Sequence, residues 1–407
     1  MAASRTPSDS RLRRAQQECQ LDVLGVPQPA FMQHEEIVLF ADTVEKFYQR
    51  HATPELCEKW RAQGQVDRQL WEQAAKDGLL CVSMPMEYGG GGGDFRHETI
   101  LSVAAIRRGV DGFAIVLHNN IVAPYILAYG IEEQKRRWLP RLANGELIAA
   151  IAMTEPGTGS DLAAVKTTAR RDGDEYVING SKTFISNGQL ANLICVVTKT
   201  DPAAGSRGIS LVMVETDGAA GFRRGRNLDK VGCEAQDTSE LFFEDVRVPA
   251  SNLLGLVEGQ GFRQLSAELA KERLTIALQA VAAMERALEE TIPYVKQREV
   301  FGQPLIEFQN TQFKLAECKT TAVIAKVFCD YCMGLLLDGK LDANMAAMAK
   351  YWATEAQGRV VDECVQLFGG YGYMNEYPIA RLYRDARISR ILGGTNEIMK
   401  MLIARSL

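Results

Sequence analysis

Glu272 is a carboxylate whose setting could suit it to take a proton. It stands in Ala270-Lys271-Glu272-Arg273-Leu274, inside a run of helical periodicity. At about 100° per residue it falls within about 60° of Leu265, Leu269 and Ile276, so it projects from an apolar stripe. Three and four residues away are Leu269, Glu268, Thr275 and Ile276, none of them a cation, whereas Glu268 has Lys271 within reach. An apolar setting raises a carboxylate pKa toward the range useful to a base near neutral pH. The alternative is a helix glutamate that reaches solvent or a distant arginine.

Two glycine-bearing segments are suited to a ligand. In Met153-Thr154-Glu155-Pro156-Gly157-Thr158-Gly159-Ser160-Asp161 the glycines let backbone N–H groups approach a flat or anionic group. A plain Pro-Gly turn with local Ser and Asp hydrogen bonds is the other reading. Asn179 to Gly188 reads as a hairpin-like strand in which Phe184 can wall an aromatic ring and Ser186 offers a hydroxyl. Arg298 suits a diphosphate, or is a surface charge.

Other chemistries are missing. The four histidines, His34, His51, His97 and His118, all fall in the first third of the chain, away from Glu272. No H-E-x-x-H, G-x-S-x-G or strand-linked G-x-G-x-x-G occurs, which disfavours a zinc protease, a serine hydrolase and a nicotinamide site. Gly89 to Gly93 lacks the Lys-Ser/Thr of a phosphate-binding loop. Cys329-x-x-Cys332 lies in an apolar helical run and reads as core; no metal site is expected, and nine scattered cysteines fit reduced thiols.

The elements that must carry these residues follow from length and pattern. A chain of 407 residues, 46% hydrophobic, exceeds one ordinary compact domain. Helical spacing marks residues 35–148, with Arg68–Leu80, Glu98–Arg108 and Glu132–Leu142 as its clearest segments. Residues 149–250 change to short strand-like runs, Glu175–Asn179, Leu193–Thr200, Ile209–Glu215 and Glu240–Val248. Residues 251–407 return to long helices over Phe262–Arg298, Thr311–Leu337, Ala343–Leu367 and Asn396–Ala404. The fold class is α+β, mainly α, with strands and helices segregated. Residues 1–34 read as a flexible tail, although Arg5, Arg11, Arg13 and Arg14 among serines also suggest a transit peptide interrupted by Asp9 and Glu18. A net charge of −5 argues against nucleic acid, and no run nears the roughly 20 uninterrupted apolar residues of a membrane span. The protein reads as soluble and intracellular, cytoplasmic if bacterial and of the mitochondrial matrix if eukaryotic.

Both glycine-bearing segments, with Gln297-Arg298-Glu299-Val300-Phe301-Gly302 and Gly393-Gly394-Thr395-Asn396-Glu397 at the expected intervals, resemble the acyl-CoA dehydrogenase family over residues 35 to 407. The stretch from Ala349-Lys350-Tyr351-Trp352 through Gln366-Leu367-Phe368-Gly369-Gly370 to Ile398-Met399-Lys400 is most similar to the long-chain members. The resemblance implies an N-terminal helical domain, a middle β-barrel-like domain and a C-terminal four-helix bundle, with FAD as cofactor. Ile151, Ala152, Met153, Thr154, Glu155, Pro156, Gly157, Thr158, Gly159 and Ser160, with Phe184, Ile185 and Ser186, would line the flavin, and Thr395, Asn396 and Glu397 would complete that site. Arg298, Phe301, Gln309, Gln366, Leu367, Phe368, Gly369 and Gly370 would hold the pyrophosphate and adenosine of a neighbouring subunit's FAD, which implies a homo-oligomer, usually a homotetramer. Ser160, Arg263, Ala270, Lys271, Arg273, Gly393 and Gly394 would lie near the acyl-CoA, with the backbone N–H near Gly393 and a ribityl hydroxyl polarising the thioester.

The implied reaction is α,β-dehydrogenation of a fatty acyl-CoA to the trans-2-enoyl-CoA in β-oxidation. Hydride passes to the flavin N5, and electrons then leave to an electron-transfer flavoprotein. Many family members carry the base just before the C-terminal Gly-Thr, where this chain has Gly393; long-chain and isovaleryl members place it in the Glu-Arg-Leu context of Glu272. Competing readings on the same fold are an acyl-CoA oxidase, a branched- or short-chain dehydrogenase, and a catalytically silent flavoprotein partner.

Overall fold

The computed structural model describes residues 23–407, so the arginines of the opening segment, and the tail and transit-peptide readings built on them, lie outside the described residues. Two compact units emerge, one Phe47–Glu272, the other Arg273–Leu407 together with the residues up to Lys46.

The first unit begins within α1 (Glu35–His51) and continues through α2 (Pro54–Gln63), α3 (Arg68–Lys76), α4 (Phe95–Arg108), α5 (Ala123–Tyr129) and α6 (Glu132–Ala143). Local chemistry sets their starts. Thr53 accepts a hydrogen bond from the Leu56 N–H at the head of α2, and Asp94 with His97 forms a capping box on α4. A π-helical turn, Leu117–Val122, leads into α5 and buries His118, Asn119 and Asn120.

Seven strands follow: β1 (Ala149–Ala152), β2 (Thr168–Asp172), β3 (Glu175–Ser186), β4 (Leu193–Lys199), β5 (Ile209–Glu215), β6 (Phe222–Asn227) and β7 (Thr238–Pro249). The hydrogen-bonded order is β1-β4-β2-β3-β7-β6, with β5 on β4. Strand β4 is parallel to β1 and touches β2 in parallel; the other pairs are antiparallel. Period-two alternation along β4 feeds two cores at once. Leu193, Cys195 and Val197 join Tyr125, Ile126, Trp138 and Leu139, while Ile194 and Val196 join Tyr176, Ile178, Leu241 and Phe243. Burial on both faces explains why β4 reads as an unbroken apolar run.

The strand expected over Asn179–Gly188 is present as the later part of the twelve-residue β3, without a chain reversal at Asn179-Gly180 and with register shifts at Ile178/Gly180 and Lys182/Ile185 against β7. Gly180 sits at the first bulge with φ 151°, and a Cβ there would lie 2.4 Å from the Thr167 hydroxyl. The Asn-Gly pair thus serves a close backbone approach and not a chain reversal.

The second unit takes the later part of α7 (Gly261–Gln297), then a two-stranded hairpin, Glu299–Val300 with Gln303–Pro304, and α8 (Gln309–Leu337), α9 (Ala343–Phe368), α10 (Pro378–Ala386) and α11 (Asn396–Ala404). Helix α9 packs on α8, α10 and α11, and its buried Ala346, Ala349, Ala353 and Ala356 permit close approach. Cys329 and Cys332 are buried on α8, as a core role requires. By length and composition α8 could cross a bilayer, but it carries Lys314, Glu317, Lys319, Lys326 and Asp330 and is a helix of this unit, not a membrane span.

His118 ties the first helical region to the sheet. Its Nε2 faces the Leu142 carbonyl at 3.2 Å and its Nδ1 accepts from the Ala149 N–H at 3.2 Å, a pairing that needs the neutral ring. Burial pushes its pKa down to about 4, below its ordinary 6.5. Between those values the unfolded chain binds a proton that the native ring refuses, so stability is full above 6.5 and falls as pH drops toward 4. Urea unfolding at pH 7 and pH 5 checks this: wild type should lose about 2 kcal/mol more than His118→Gln over that interval.

Candidate active site

The segment after β1 makes a tight turn in which Glu155 and Thr158 exchange backbone hydrogen bonds of 3.0 and 3.1 Å. Its anchor is Lys182 of β3, only 1% exposed, whose Nζ donates to the Glu155 carboxylate at 2.9 Å and the Met153 carbonyl at 3.0 Å. Glu155 also accepts from the backbone N–H groups of Lys166 and Thr167. Against the upward push of burial, Thr167, Lys182 and the Lys166 N–H hold the Glu155 carboxyl below its ordinary range, while burial brings Lys182 down to about 8. Removing one member of such a buried pair costs about 3–5 kcal/mol. The Thr183 N–H completes the fastening by donating to the Thr154 carbonyl at 2.9 Å.

This clamp brings the two glycine-bearing segments side by side. Phe184 then stands at φ 60° in the second bulge of β3 and is 66% exposed. A bulky residue in the left-handed region costs of order 1–3 kcal/mol, and here it holds an apolar ring outward, next in the chain to Thr183, whose N–H meets Thr154. Gly157 has nothing within 4 Å of where a Cβ would stand. An outward ring next to an open, side-chain-poor turn fits a flat heteroaromatic group such as an isoalloxazine. Not every expected lining residue offers its side chain. Ile151, Ala152 and Ile185 face the two apolar cores, and Glu155 is turned inward to Lys182, so these can give a ligand only backbone.

Glu272 is 7% exposed. Its carboxylate accepts from the Tyr125 hydroxyl at 3.0 Å, a partner 147 positions away that helical spacing could not reveal. Glu268, one turn earlier, meets Lys271 at 3.4 Å as its spacing suggested, and also accepts from Tyr129 at 3.1 Å. Arg263 is exposed near the start of α7, bonded to Gln260 at 3.2 Å.

In the second unit, the Gly393–Asn396 loop is held by Lys350, which is fully buried and donates to the Gly394 carbonyl at 2.8 Å and the Asn396 side chain at 2.9 Å. Burial, with Arg273 nearby, pushes Lys350 down to about 8. Asn396 spends its amide on Thr354 and Glu355, and Thr395 caps α11 through the Ile398 N–H. The Arg273 side chain donates to the Gly393 carbonyl at 3.4 Å. Gly393 has φ 66°, and a Cβ there would meet Ile276 at 2.4 Å. A carboxylate cannot be placed at this position without moving Ile276.

The same unit joins Arg298 to the end of α9. The guanidinium lies 5.9 Å from the Tyr371 ring centre, and Tyr294 stacks on Phe368 at 4.0 Å while donating to its carbonyl. Gln366 and Leu367 close α9, Gly369 and Gly370 have no neighbour where a Cβ would stand, and Gln309 opens α8. Phe301, on the hairpin between α7 and α8, is 98% exposed. Sequence reasoning missed Tyr125, Lys182 and Lys350. Lys350 carries one legible signal, a charge within the apolar run Ala346 to Ala353, whereas Lys182 stands between Ser181 and Thr183 and carries none.

Comparison with known proteins agrees with this arrangement. Profiles of the acyl-CoA dehydrogenase N-terminal, middle and C-terminal domains match residues 34–146, 150–246 and 259–407. The chain is 50% identical over 371 residues to the long-chain specific acyl-CoA dehydrogenase, mitochondrial, of Sus scrofa, covering 91% of this chain and 86% of that one. The crystal structure of an acyl-CoA dehydrogenase from Geobacillus kaustophilus superposes with a TM-score of 0.89 at 48% identity, covering 92% of this chain and 98% of that one. A Mycobacterium smegmatis glutaryl-CoA dehydrogenase in complex with FADH2 gives a TM-score of 0.84 at 30% identity, over 92% and 94% of the two chains. Helical, β and helical regions in this order, carrying these residues, place the chain in the acyl-CoA dehydrogenase family, FAD-dependent oxidoreductases that act on a CH–CH bond.

Proposed function

We propose that this protein oxidises a long-chain fatty acyl-CoA to its trans-2-enoyl-CoA, with Glu272 as the base. The observation that carries the reading is a buried carboxylate on α7 in a chain whose alternative position for the base is a glycine packed against Ile276. Glu272 takes the proton from the α carbon, and the C–H electron pair forms the new double bond as the β carbon gives up hydride. Bound FAD supplies the acceptor for that hydride. The backbone N–H groups of the Gly393–Gly394 segment, held in place through Lys350, stabilise the negative charge that develops on the thioester oxygen. That stabilisation acidifies the α proton and lets a carboxylate remove it. Thr154 and Ser186 are assigned to the ring heteroatoms and Phe184 to the ring wall, with Met153, Pro156, Thr158, Gly159 and Ser160 around them.

The long-chain assignment rests on the name of the Sus scrofa relative. The electron acceptor is an electron-transfer flavoprotein, and the pathway is fatty acid β-oxidation. We assign the working form as a homo-oligomer. Phe301 on the hairpin and Phe313, Ile324 and Tyr331 on α8 are exposed, and they supply apolar surface that a second copy of the chain would cover.

Glu272→Gln keeps size and loses the base, so anaerobic bleaching of the flavin by palmitoyl-CoA should slow by roughly 10²–10⁴-fold. Bleaching at the wild-type rate sinks the assignment. A series from butyryl-CoA to stearoyl-CoA should give its highest kcat/KM among the long chains, and a maximum at butyryl-CoA would overturn the substrate class. The reduced enzyme should persist in air and reoxidise on adding electron-transfer flavoprotein; rapid reoxidation by air alone would make it an oxidase. For assembly, Phe301→Asp should lower flavin content and shift the sedimenting species to smaller size, whereas a wild-type protein that sediments as a monomer with full flavin refutes the oligomer.

A further inference from the structure

Tyr125 is a buried polar side chain in the first unit that the reaction above does not use. Its side chain is fully buried among Ile126, Trp138, Leu139 and Cys195, so its hydroxyl must find an acceptor within the protein. Two are in range on α7: the Glu272 carboxylate at 3.0 Å and the Leu265 carbonyl at 3.4 Å. Those acceptors lie seven residues, about two turns, apart on one helix face. One turn along both helices, Tyr129 donates to Glu268 at 3.1 Å, so α5 and α7 are joined by two matched tyrosine-to-glutamate rungs. Only the Tyr125 rung ends on the proposed base.

We propose that Tyr125 is a positioning residue for Glu272: its hydroxyl donates to the ionised carboxylate, and passes its donation to the Leu265 carbonyl when that carboxyl becomes protonated. This rests on Glu272 being the base. The proton count balances, because Tyr125 keeps its own proton throughout and Glu272 alone gains one from substrate. Burial and the adjacent Glu272 charge hold the phenol far above its ordinary pKa, which keeps it a donor. The second acceptor matters because a buried hydroxyl left without one would penalise protonation of the base. With Leu265 in range, the donor restrains the resting carboxylate without opposing turnover. The Tyr125 hydroxyl also faces Cys195 on β4, which burial keeps neutral by raising its pKa to about 12, and Glu268 on α7. Glu268 is itself engaged by Lys271 and Tyr129, and Arg273 follows Glu272 in the chain.

A donor to the ionised form lowers a carboxylate pKa, so its removal raises it. In the FAD-loaded enzyme reduced by palmitoyl-CoA, Tyr125→Phe should move the acid limb of the kcat/KM profile up by about one pH unit, costing about tenfold on the rising limb. Tyr129→Phe should leave the limb in place. Incorporating 3-fluorotyrosine at position 125, a stronger donor of the same shape, should move the limb to lower pH, and this tests the idea even where Tyr125→Phe folds poorly. A limb that stays put in both position-125 variants, or a loss uniform across pH, overturns the proposal. Glu272→Gln is run alongside: if it bleaches at the wild-type rate, the base assignment itself has failed, whereas an inactive Glu272→Gln with an unmoved limb at position 125 removes Tyr125 alone.

Discussion

A stretch of backbone offered to a ligand cannot be held by a regular ladder, because a ladder would consume the groups on offer. Something else must fix its path, and in this protein buried lysines do so. Lys182 grips the Met153 carbonyl and the Glu155 carboxylate, and Lys350 grips the Gly394 carbonyl and Asn396. Each ammonium is almost wholly removed from water, each is brought down to about 8 by burial, and each pins a glycine-bearing turn. A lysine suits this task because one point charge with three donors can satisfy carbonyls from irregular backbone that no apolar side chain could hold. The cost of desolvating two ammonium groups is set against the precision of two turns to which the proposed flavin and thioester contacts are assigned.

Strain is concentrated in the same places. Phe184 sits in the left-handed region within a strand, between a core-facing Thr183 and Ile185. The bulge that puts it there exists because β3 and β7 shift register twice, and Lys182 lies just before the second shift. The sheet therefore bends where the clamp holds it, and the apolar ring turns outward.

Much of this was legible in the sequence, and the exceptions share a cause. Strands β4 and β5 announce themselves as short apolar runs, α8 as a long one, and helices α9 and α11 by apolar period, because burial decides them. Strands β2 and β6, Thr-Ala-Arg-Arg-Asp and Phe-Arg-Arg-Gly-Arg-Asn, carry too much charge to show an alternation, and β1 has only four residues. Glu272 stood out by its place on an apolar stripe, but its Tyr125 partner comes from another region of the chain and leaves no local trace. Lys182 and Lys350 likewise act on carbonyls, which every residue has. The Asn-Gly pair at 179–180 misleads because the dipeptide serves a turn and a bulge equally well.

Gly393 has a consequence for how such an enzyme can change over generations. A glutamate there would need both a positive φ and the space now filled by the Ile276 side chain, 2.4 Å from its Cβ. A single substitution at 393 therefore meets backbone strain and also has to turn the end of the Ile276 side chain aside. With the base on the helix, as proposed, neither cost arises. A chain that moved it to the loop would cross a threshold, a strained backbone at 393, so the two positions are not freely interchangeable.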